Sequence, residues 1–179
     1  MRMDKTTDAD LSRAISASDA AAFKALYYRY YEPLYLFLWR RTHDRETALD
    51  LAQELFVRVW NNREKLDASQ SLKAYLFKIA HNLLIDHFRK KGVEQTYFAA
   101  DPPEEASVVS EADDFELREN IESAIASLPT PVRQVFQMSR FDGLKYHEIA
   151  AALEISVKTV EARMSKALAT LRERLEPYL

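Results

Sequence analysis

Asp142-Gly143-Leu144-Lys145-Tyr146-His147-Glu148-Ile149-Ala150-Ala151-Ala152-Leu153-Glu154-Ile155-Ser156-Val157-Lys158-Thr159-Val160 is the stretch that decides the fold. Gly143 can take the left-handed conformation that closes a helix. Tyr146 to Leu153 then carries Ile149, Ala150 and Leu153 at helical spacing. Glu154-Ile155-Ser156 is a tight connection, and Ser156 is a good N-cap for the last helix. In that helix Val157, Val160, Met164, Leu168 and Leu171 mark the inner face. Ala150 and Ala151 are small where two helices must approach closely. Helix, short turn and helix is the plan that sets the N-terminal half of the second helix into the major groove of DNA. The outward residues there are Lys158, Thr159, Glu161, Ala162, Arg163, Ser165 and Lys166, and residues 156–174 hold five Lys and Arg against two Glu. An ordinary helical hairpin with a solvated face is the competing reading; segment lengths, turn and charge together favour DNA.

Upstream, Leu117 to Ser127 reads as one helix. Pro129-Thr130-Pro131 stops it and starts another that runs to about Phe141, with Thr130 as N-cap and Pro131 in the first helical position. Residues 92–116 carry eight acidic and no basic residues, with Pro102-Pro103 among them. No helical period is sustained there, and the stretch reads as a linker extended by proline and self-repulsion. The flanks differ: residues 1–91 hold 16 basic against 12 acidic residues, and residues 117–179 hold nine against eight. The 179 residues therefore divide into an N-terminal helical domain (1–91), an acidic linker (92–116) and a C-terminal helix-turn-helix domain (117–179). The expected fold class is all-α. Gly92 and Gly143 are the only glycines, too few for the turns of a sheet protein. The absence of cysteine excludes disulfide scaffolds, thiolate metal sites and thiol catalysis. Met1 to Lys5 lacks the apolar core of a signal peptide, and no apolar run approaches ~20 residues. A cytoplasmic protein with no membrane span is expected.

In the N-terminal module a helix is expected from Ser18, as N-cap, to Tyr31, and a second from Pro33 through Leu34 to Arg41. Tyr27, Tyr28, Tyr30, Tyr31 and Tyr35 sit on that stretch and read as core and its rim. From Asp44 to Trp60, Ala48, Leu51, Ala52, Leu55 and Val59 form a core stripe. Asp50, Gln53, Glu54, Val57 and Asn61 share the opposite face, either a solvated surface or an acidic docking strip for a basic partner helix. Ser71 to Lys91 buries Leu72, Leu76, Ile79 and Leu83. A second face carries Lys78, Asn82, Ile85 and Arg89, and the helix ends in Arg89-Lys90-Lys91. Basic side chains there can neutralise phosphates, Asn82 can donate to and accept from a base, and Tyr75, Phe77 and Phe88 are available for packing or stacking. No catalytic or metal-ligating set emerges. His81 and His87 lie on different faces of one helix, and His43 and His147 lie elsewhere. Neither an H-E-x-x-H motif nor a glycine-rich phosphate loop appears, so no enzyme and no cofactor are expected.

Asp50-Leu51-Ala52-Gln53-Glu54-Leu55-Phe56-Val57-Arg58-Val59-Trp60 resembles region 2.2 of bacterial sigma-70-type factors. Tyr75-Leu76-Phe77-Lys78-Ile79-Ala80-His81-Asn82-Leu83-Leu84-Ile85-Asp86, with Arg89-Lys90-Lys91, is similar to regions 2.3 and 2.4. Leu128-Pro129, Asp142 to Ala150 and Ser156 to Val160 resemble region 4. The order of the motifs and the lack of regions 1.1 and 3 resemble the extracytoplasmic-function (ECF) group. The resemblance implies a sigma factor that recruits core RNA polymerase to promoters. It implies that the face of Asp50, Gln53, Glu54, Val57 and Asn61 docks on the clamp helices of the β′ subunit. It implies −10 recognition by Lys78, Asn82, Arg89 and Lys90, with a flipped base captured by the 61–71 connection. In region 4 it implies base contacts by Glu161, Ala162, Ser165 and Lys166 on the −35 element, and backbone contacts by Tyr146, Thr159 and Arg163, with Lys158 beside them. Region 4 is further expected to dock on the β flap, and an anti-sigma factor is an expected partner. A free-standing helix-turn-helix regulator is the alternative; it leaves the Asp50, Gln53 and Glu54 strip unexplained. Two positions depart from the family pattern. Lys145, where Ser or Thr often opens the helix, cannot cap it with an acceptor. Glu161 stands where many relatives carry a basic residue.

Overall fold

The computed structural model describes residues 6–92 and 112–178, and among them every regular element is helical. The expected linker lies outside these residues except for Gly92 and 112–116, as does Met1 to Lys5. The N-terminal module is built from α1 (Asp8–Ser16), α2 (Ala20–Thr42), α3 (Arg45–Asn61) and α4 (Leu72–Lys90), with a 3₁₀ turn at Arg63–Lys65. α1 is not among the expected helices. It has nine residues and only Leu11 and Ile15 as buried apolar side chains, a stripe too short to stand out. Thr7 and Asp10 cap it reciprocally, each side chain accepting from the other's backbone N–H at 3.2 Å.

α2 differs from expectation in two ways. Its cap is Asp19, whose Oδ1 accepts from the N–H groups of Ala21 and Ala22 at 2.8 and 3.1 Å. Ser18 instead makes the turn after α1 with φ of 67°. The helix also runs unbroken through Pro33. Pro33 lies on the exposed side, so its missing N–H costs a bond at the wet face. Leu26, Tyr30, Leu34, Phe37 and Leu38 hold both halves against the core. Of the five tyrosines only Tyr30 is fully core; Tyr31 and Tyr35 are half-buried, and Tyr27 and Tyr28 are exposed. The expected stripe of α3 is buried throughout, joined by Phe56. α4 is the pillar of the molecule, packed on α1, α2, α3 and a helix of the C-terminal module. Leu72, Leu76 and Leu83 are buried as expected, and Ile79 is half-buried.

The C-terminal module contains α5 (Ala112–Ala126), α6 (Thr130–Arg140), α7 (Tyr146–Leu153) and α8 (Val157–Leu175). α5 starts five residues earlier than the Leu117 start read from sequence. At α6 the chain enters through Pro129, and Thr130 is already helical and makes no cap bond. Lys145 opens α7 without an acceptor, and Glu148 Oε2 holds that end by accepting the Lys145 N–H at 2.8 Å. Ser156 caps α8 as expected, its Oγ accepting from Thr159 N at 3.0 Å. The inner face of α8 is Val160, Met164, Ala167 and Leu171. Val157 and Leu168, expected inside, are exposed. The stripe steps by four, three and four, so Leu168 falls about 100° away from Ala167.

Candidate nucleic-acid interface

Three polar faces stand on this scaffold. On α3 the side chains of Asp50, Gln53, Glu54, Val57 and Asn61 are all exposed, with Val57 57% accessible. Val57 thus adds an exposed apolar side chain to an otherwise polar strip. The strip is less acidic than its sequence reads. Arg58, one turn on, donates to Glu54 from Nε and Nη2 at 3.0 and 2.6 Å. Beside it opens a feature absent from the sequence reading, an apolar groove of about 420 Å³ lined by Phe23, Tyr27, Gln53, Phe56, Val57 and Trp60. The signal was present in the aromatic residues of α2, but their joining with Phe56 and Trp60 depends on how α2 packs on α3. Tyr27 lies 4.7 Å from Phe56, and Phe23 lies 5.0 Å from Trp60, between ring centroids.

The second face lies on α4 and the loop before it. Asn82, Arg89 and Lys90 are exposed and Lys78 is half-buried. Arg89 is paired with Asp86 of its own helix. The 62–71 loop is braced by Asp67, which accepts from the N–H and hydroxyl of Ser69 at 2.8 and 2.7 Å and from Gln70 at 3.0 Å. Those bonds, the Ser69 hydroxyl foremost, hold the Asp67 carboxyl below its usual range. A cavity of about 230 Å³ lies under this loop, bordered by Lys65, Asp67, Gln70, Ser71, Tyr75 and Lys78, with Ser12 reaching it from α1. It offers one ring to stack on, one side-chain amide, three hydroxyl groups, one carboxylate and two ammonium groups. It is smaller than the roughly 300–1,000 Å³ of a cofactor pocket and suits one flat polar group.

The third face is the outer side of α8. Lys158, Glu161, Ala162, Ser165 and Lys166 are exposed, and Thr159, Arg163 and Tyr146 border them. Thr159 Oγ1 shares a 2.8 Å hydrogen bond with the capping Ser156. Lys158, Glu161, Arg163 and Lys166 make no ion pair among the described residues.

The two modules are packed together, which no motif announced. Asp142, in the turn between α6 and α7, accepts from Arg41 at 2.9 Å and from Arg40 at 3.3 Å, both at the end of α2. The Asp142 side chain is 1% exposed and that of Arg41 8%. Arg41 also lies over the Phe37 ring at 3.7 Å and donates to the Phe37 carbonyl at 2.9 Å. Along α4, Lys73 donates to the Gly143 carbonyl at 2.6 Å, Ser71 to Glu148 at 3.1 Å and Lys78 to Glu154 at 2.7 Å. The Lys78 bond holds the Glu154 carboxyl below its usual range. His81 faces Gln134 of α6 at 3.2 Å. Burial, then the charge of Arg41, pull His81 down to about 4, against a smaller opposing effect of Glu154, so the ring is neutral at pH 7. Among the described residues no three His, Asp or Glu side chains gather as a metal site.

Comparison with known proteins bears on the family of both modules. Residues 26–93 match Sigma-70 region 2, and residues 118–171 match Sigma-70, region 4. The ECF RNA polymerase sigma factor SigW of Bacillus subtilis is 31% identical over 180 residues, covering 91% of this chain and 94% of that protein. The structure of CnrH in complex with the cytosolic domain of CnrY superposes with a TM-score of 0.69 at 25% identity, covering 95% of this chain and 97% of CnrH. The sigma factor RpoE of Bartonella quintana, in complex with the anti-sigma factor NepR, shares the fold with a TM-score of 0.65 at 23% identity, covering 86% of this chain and 96% of RpoE.

Proposed function

The chain belongs to the extracytoplasmic-function group of the sigma-70 family and directs transcription initiation with core RNA polymerase; from that premise we propose a division of the work among the three faces. The α3 strip of Asp50, Gln53, Glu54, Val57 and Asn61, with the adjoining aromatic groove, docks on the clamp helices of β′. Lys78, Asn82, Arg89 and Lys90 hold the non-template strand at the −10 element. The 230 Å³ cavity receives one unstacked base, over Tyr75 and among Lys65, Asp67 and Gln70. Tyr146, Lys158, Thr159 and Arg163 hold the −35 backbone while Glu161, Ala162, Ser165 and Lys166 read its base edges. The C-terminal module further contacts the β flap. The chain itself supplies no catalytic residues and acts in the cytoplasm. The 1–91, 92–116 and 117–179 division is its domain plan, with α5 drawing the start of the C-terminal module back to Ala112. By likeness to CnrH and RpoE, which are seen with CnrY and the anti-sigma factor NepR, an anti-sigma factor is a partner.

One observation supports this reading: apart from half-buried Lys78, Thr159 and Arg163, the assigned side chains are exposed, while the apolar stripes behind them are buried. Side chains that do not hold the core together are available for recognition. In the mechanism, the −35 contacts set position on duplex DNA. Strand separation is then stabilised because an unpaired base is bound in the pocket and its phosphates on α4. The α3 face is tested by Asp50→Lys combined with Glu54→Lys. Loss of co-purification with core polymerase at unchanged helical content is the expected result, because exposed charge changes seldom unfold a domain. Undiminished co-purification overturns the α3 assignment.

A further inference from the structure

Among the described residues, the buried polar side chains are Ser12, Arg41 and Arg133. Both arginines are held by hydrogen bonds. Arg41 donates to the Phe37 carbonyl and to Asp142, each at 2.9 Å, and Arg133 donates to the Ala126 carbonyl at 2.9 Å. Ser12 is 1% exposed, and its hydroxyl makes no hydrogen bond to another described residue. The helix offers such a bond: Ser16, one turn on in α1, donates to the Arg13 carbonyl at 2.8 Å. No buried side-chain polar atom among the described residues is sealed off without a partner. The Ser12 hydroxyl is therefore not sealed off, and the space it opens onto is the cavity of about 230 Å³ that Ser12 borders. A hydroxyl left unpaired in a folded interior calls for a role outside the fold's own bonding.

The groups that face Ser12 across this space come from the loop and α4, and several are committed. Asp67 accepts from Ser69 and Gln70, and Ser71 caps α4. Ser12 comes instead from α1, which lies outside residues 26–93, the part that matches Sigma-70 region 2. α1 is held at both ends. Asp8 accepts from Arg29 at 2.7 Å and from the Tyr30 hydroxyl, and Ser18, just after the helix, accepts from Arg63 Nε at 2.8 Å. Arg63 belongs to the 3₁₀ turn that leads into the loop, so α1 and the loop are tied directly.

We propose that Ser12 hydrogen-bonds the base taken up by this cavity, which makes α1 part of the −10 site and Ser12 a determinant of base preference. The proposal rests on the assignment of the cavity to one unstacked base. Lys65 and Lys78 only donate and Asp67 only accepts, whereas a hydroxyl does both and can complete the polar edge of the base. A base that leaves that hydroxyl unpaired is rejected, so the contact discriminates between bases. Phosphate contacts on α4 carry no such information.

The test uses the full chain with core polymerase, selecting opened complexes from promoters whose non-template −10 strand is randomised. Ser12→Ala should reduce the preference at one −10 position by about tenfold. Gln70→Ala, on the exposed side of the loop, should act at the same position. Preferences at the other −10 positions and at −35 should not move. The urea midpoint should not fall, because alanine is the best helix former. Ser12→Thr, which keeps the hydroxyl, should keep the preference. Unchanged preferences in Ser12→Ala overturn the proposal, and Gln70→Ala then separates the two readings. A preference lost there leaves the base assignment of the cavity standing, and none lost removes it as well. A uniform loss over all −10 sequences in Ser12→Ala, a lowered urea midpoint, or an equal loss in Ser12→Thr makes Ser12 a packing residue and also overturns the proposal.

Discussion

α4 and α8 invite comparison because they begin alike. Each is 19 residues long, and each is opened by a serine whose hydroxyl accepts an N–H three residues on. Their surroundings diverge. α4 buries eight residues and is packed from several sides, while α8 buries four on a single stripe. On α4, Lys78 is bound to Glu154 and Arg89 to Asp86; on α8 the charged outer residues are unpaired among the described residues. A helix at the centre of a fold must hold the core and read DNA with adjacent side chains. A helix at the edge can give most of its circumference to recognition. Substitutions on α4 should therefore mix stability with function, and those on the outer face of α8 should separate them.

The sharpest contrast is in the core. Phe77 of α4 is fully buried, with its ring 5.1 Å from that of Phe37. Phe77→Ala should cost about 3–5 kcal/mol in urea unfolding, through lost transfer energy and the cavity left behind. Leu168→Ala, at the 44% exposed position on α8, should stay within about 0.5 kcal/mol. Equal losses would erase the distinction between the two helices.

On the α8 side the loss should appear in binding alone. Glu161→Ala and Lys166→Ala should each cost about 1–3 kcal/mol on the preferred −35 sequence and relax preference there, because Glu accepts from cytosine and Lys donates to guanine. Selection from randomised promoters with core polymerase reads this, and the −10 preference should not move. Arg163→Ala should weaken all sequences alike and reduce the salt slope by roughly one unit. A uniform loss for Glu161→Ala and Lys166→Ala would make both backbone or packing residues.

Acid should act through α4. His81 is held down to about 4, below the 6.5 of a free histidine, so its neutral form is favoured in the packed protein. That stability is fully present above pH 6.5 and is lost as pH falls toward 4, because the unfolded chain takes up the proton first. The loss between pH 7 and 5.5 should be about 1 kcal/mol. His87 is also shifted downward by burial and adds to the same trend. The lowered carboxylates Asp10, Asp44, Asp67 and Glu154 act only at lower pH, near and below the range in which free carboxylates titrate. His81 faces Gln134 across the modules, and the charge of Arg41 disfavours its protonation more than Glu154 favours it, so acid should also loosen the contact between modules. Urea unfolding at pH 7 and 5.5 checks this, and His81→Gln should flatten the difference.

An effect as small as that of acid concerns the start of α7. Glu148 accepts the Lys145 N–H in place of a capping hydroxyl. Glu148→Ala should lower stability by about 1 kcal/mol in thermal unfolding, and Lys145→Ser should raise it by a similar amount by supplying the missing acceptor.

Local chemistry alone determined much of this protein. The spacing of Ala48, Leu51, Ala52, Leu55 and Val59 required an apolar face on α3 and so left Asp50, Gln53 and Glu54 outside. Ser71, Ser156 and Gly143 mark helix ends because caps and left-handed turns are properties of a few neighbouring residues. Where neighbours alone could not decide, the expectation failed. Pro33 ends a helix by its own chemistry, but packing on both sides of it carries α2 through. Val157 and Leu168 fit a helical period, but the position of α6 and α7 selects Ala167 instead. The aromatic groove needs Phe23 of α2 beside Trp60 of α3. The closure of the modules rests on pairs such as Arg41 with Asp142, 101 residues apart. Periodicity shows which face of a helix seeks a partner. Which partner it meets depends on a few charges and shapes brought together from distant parts of the chain, and only the tertiary structure places those.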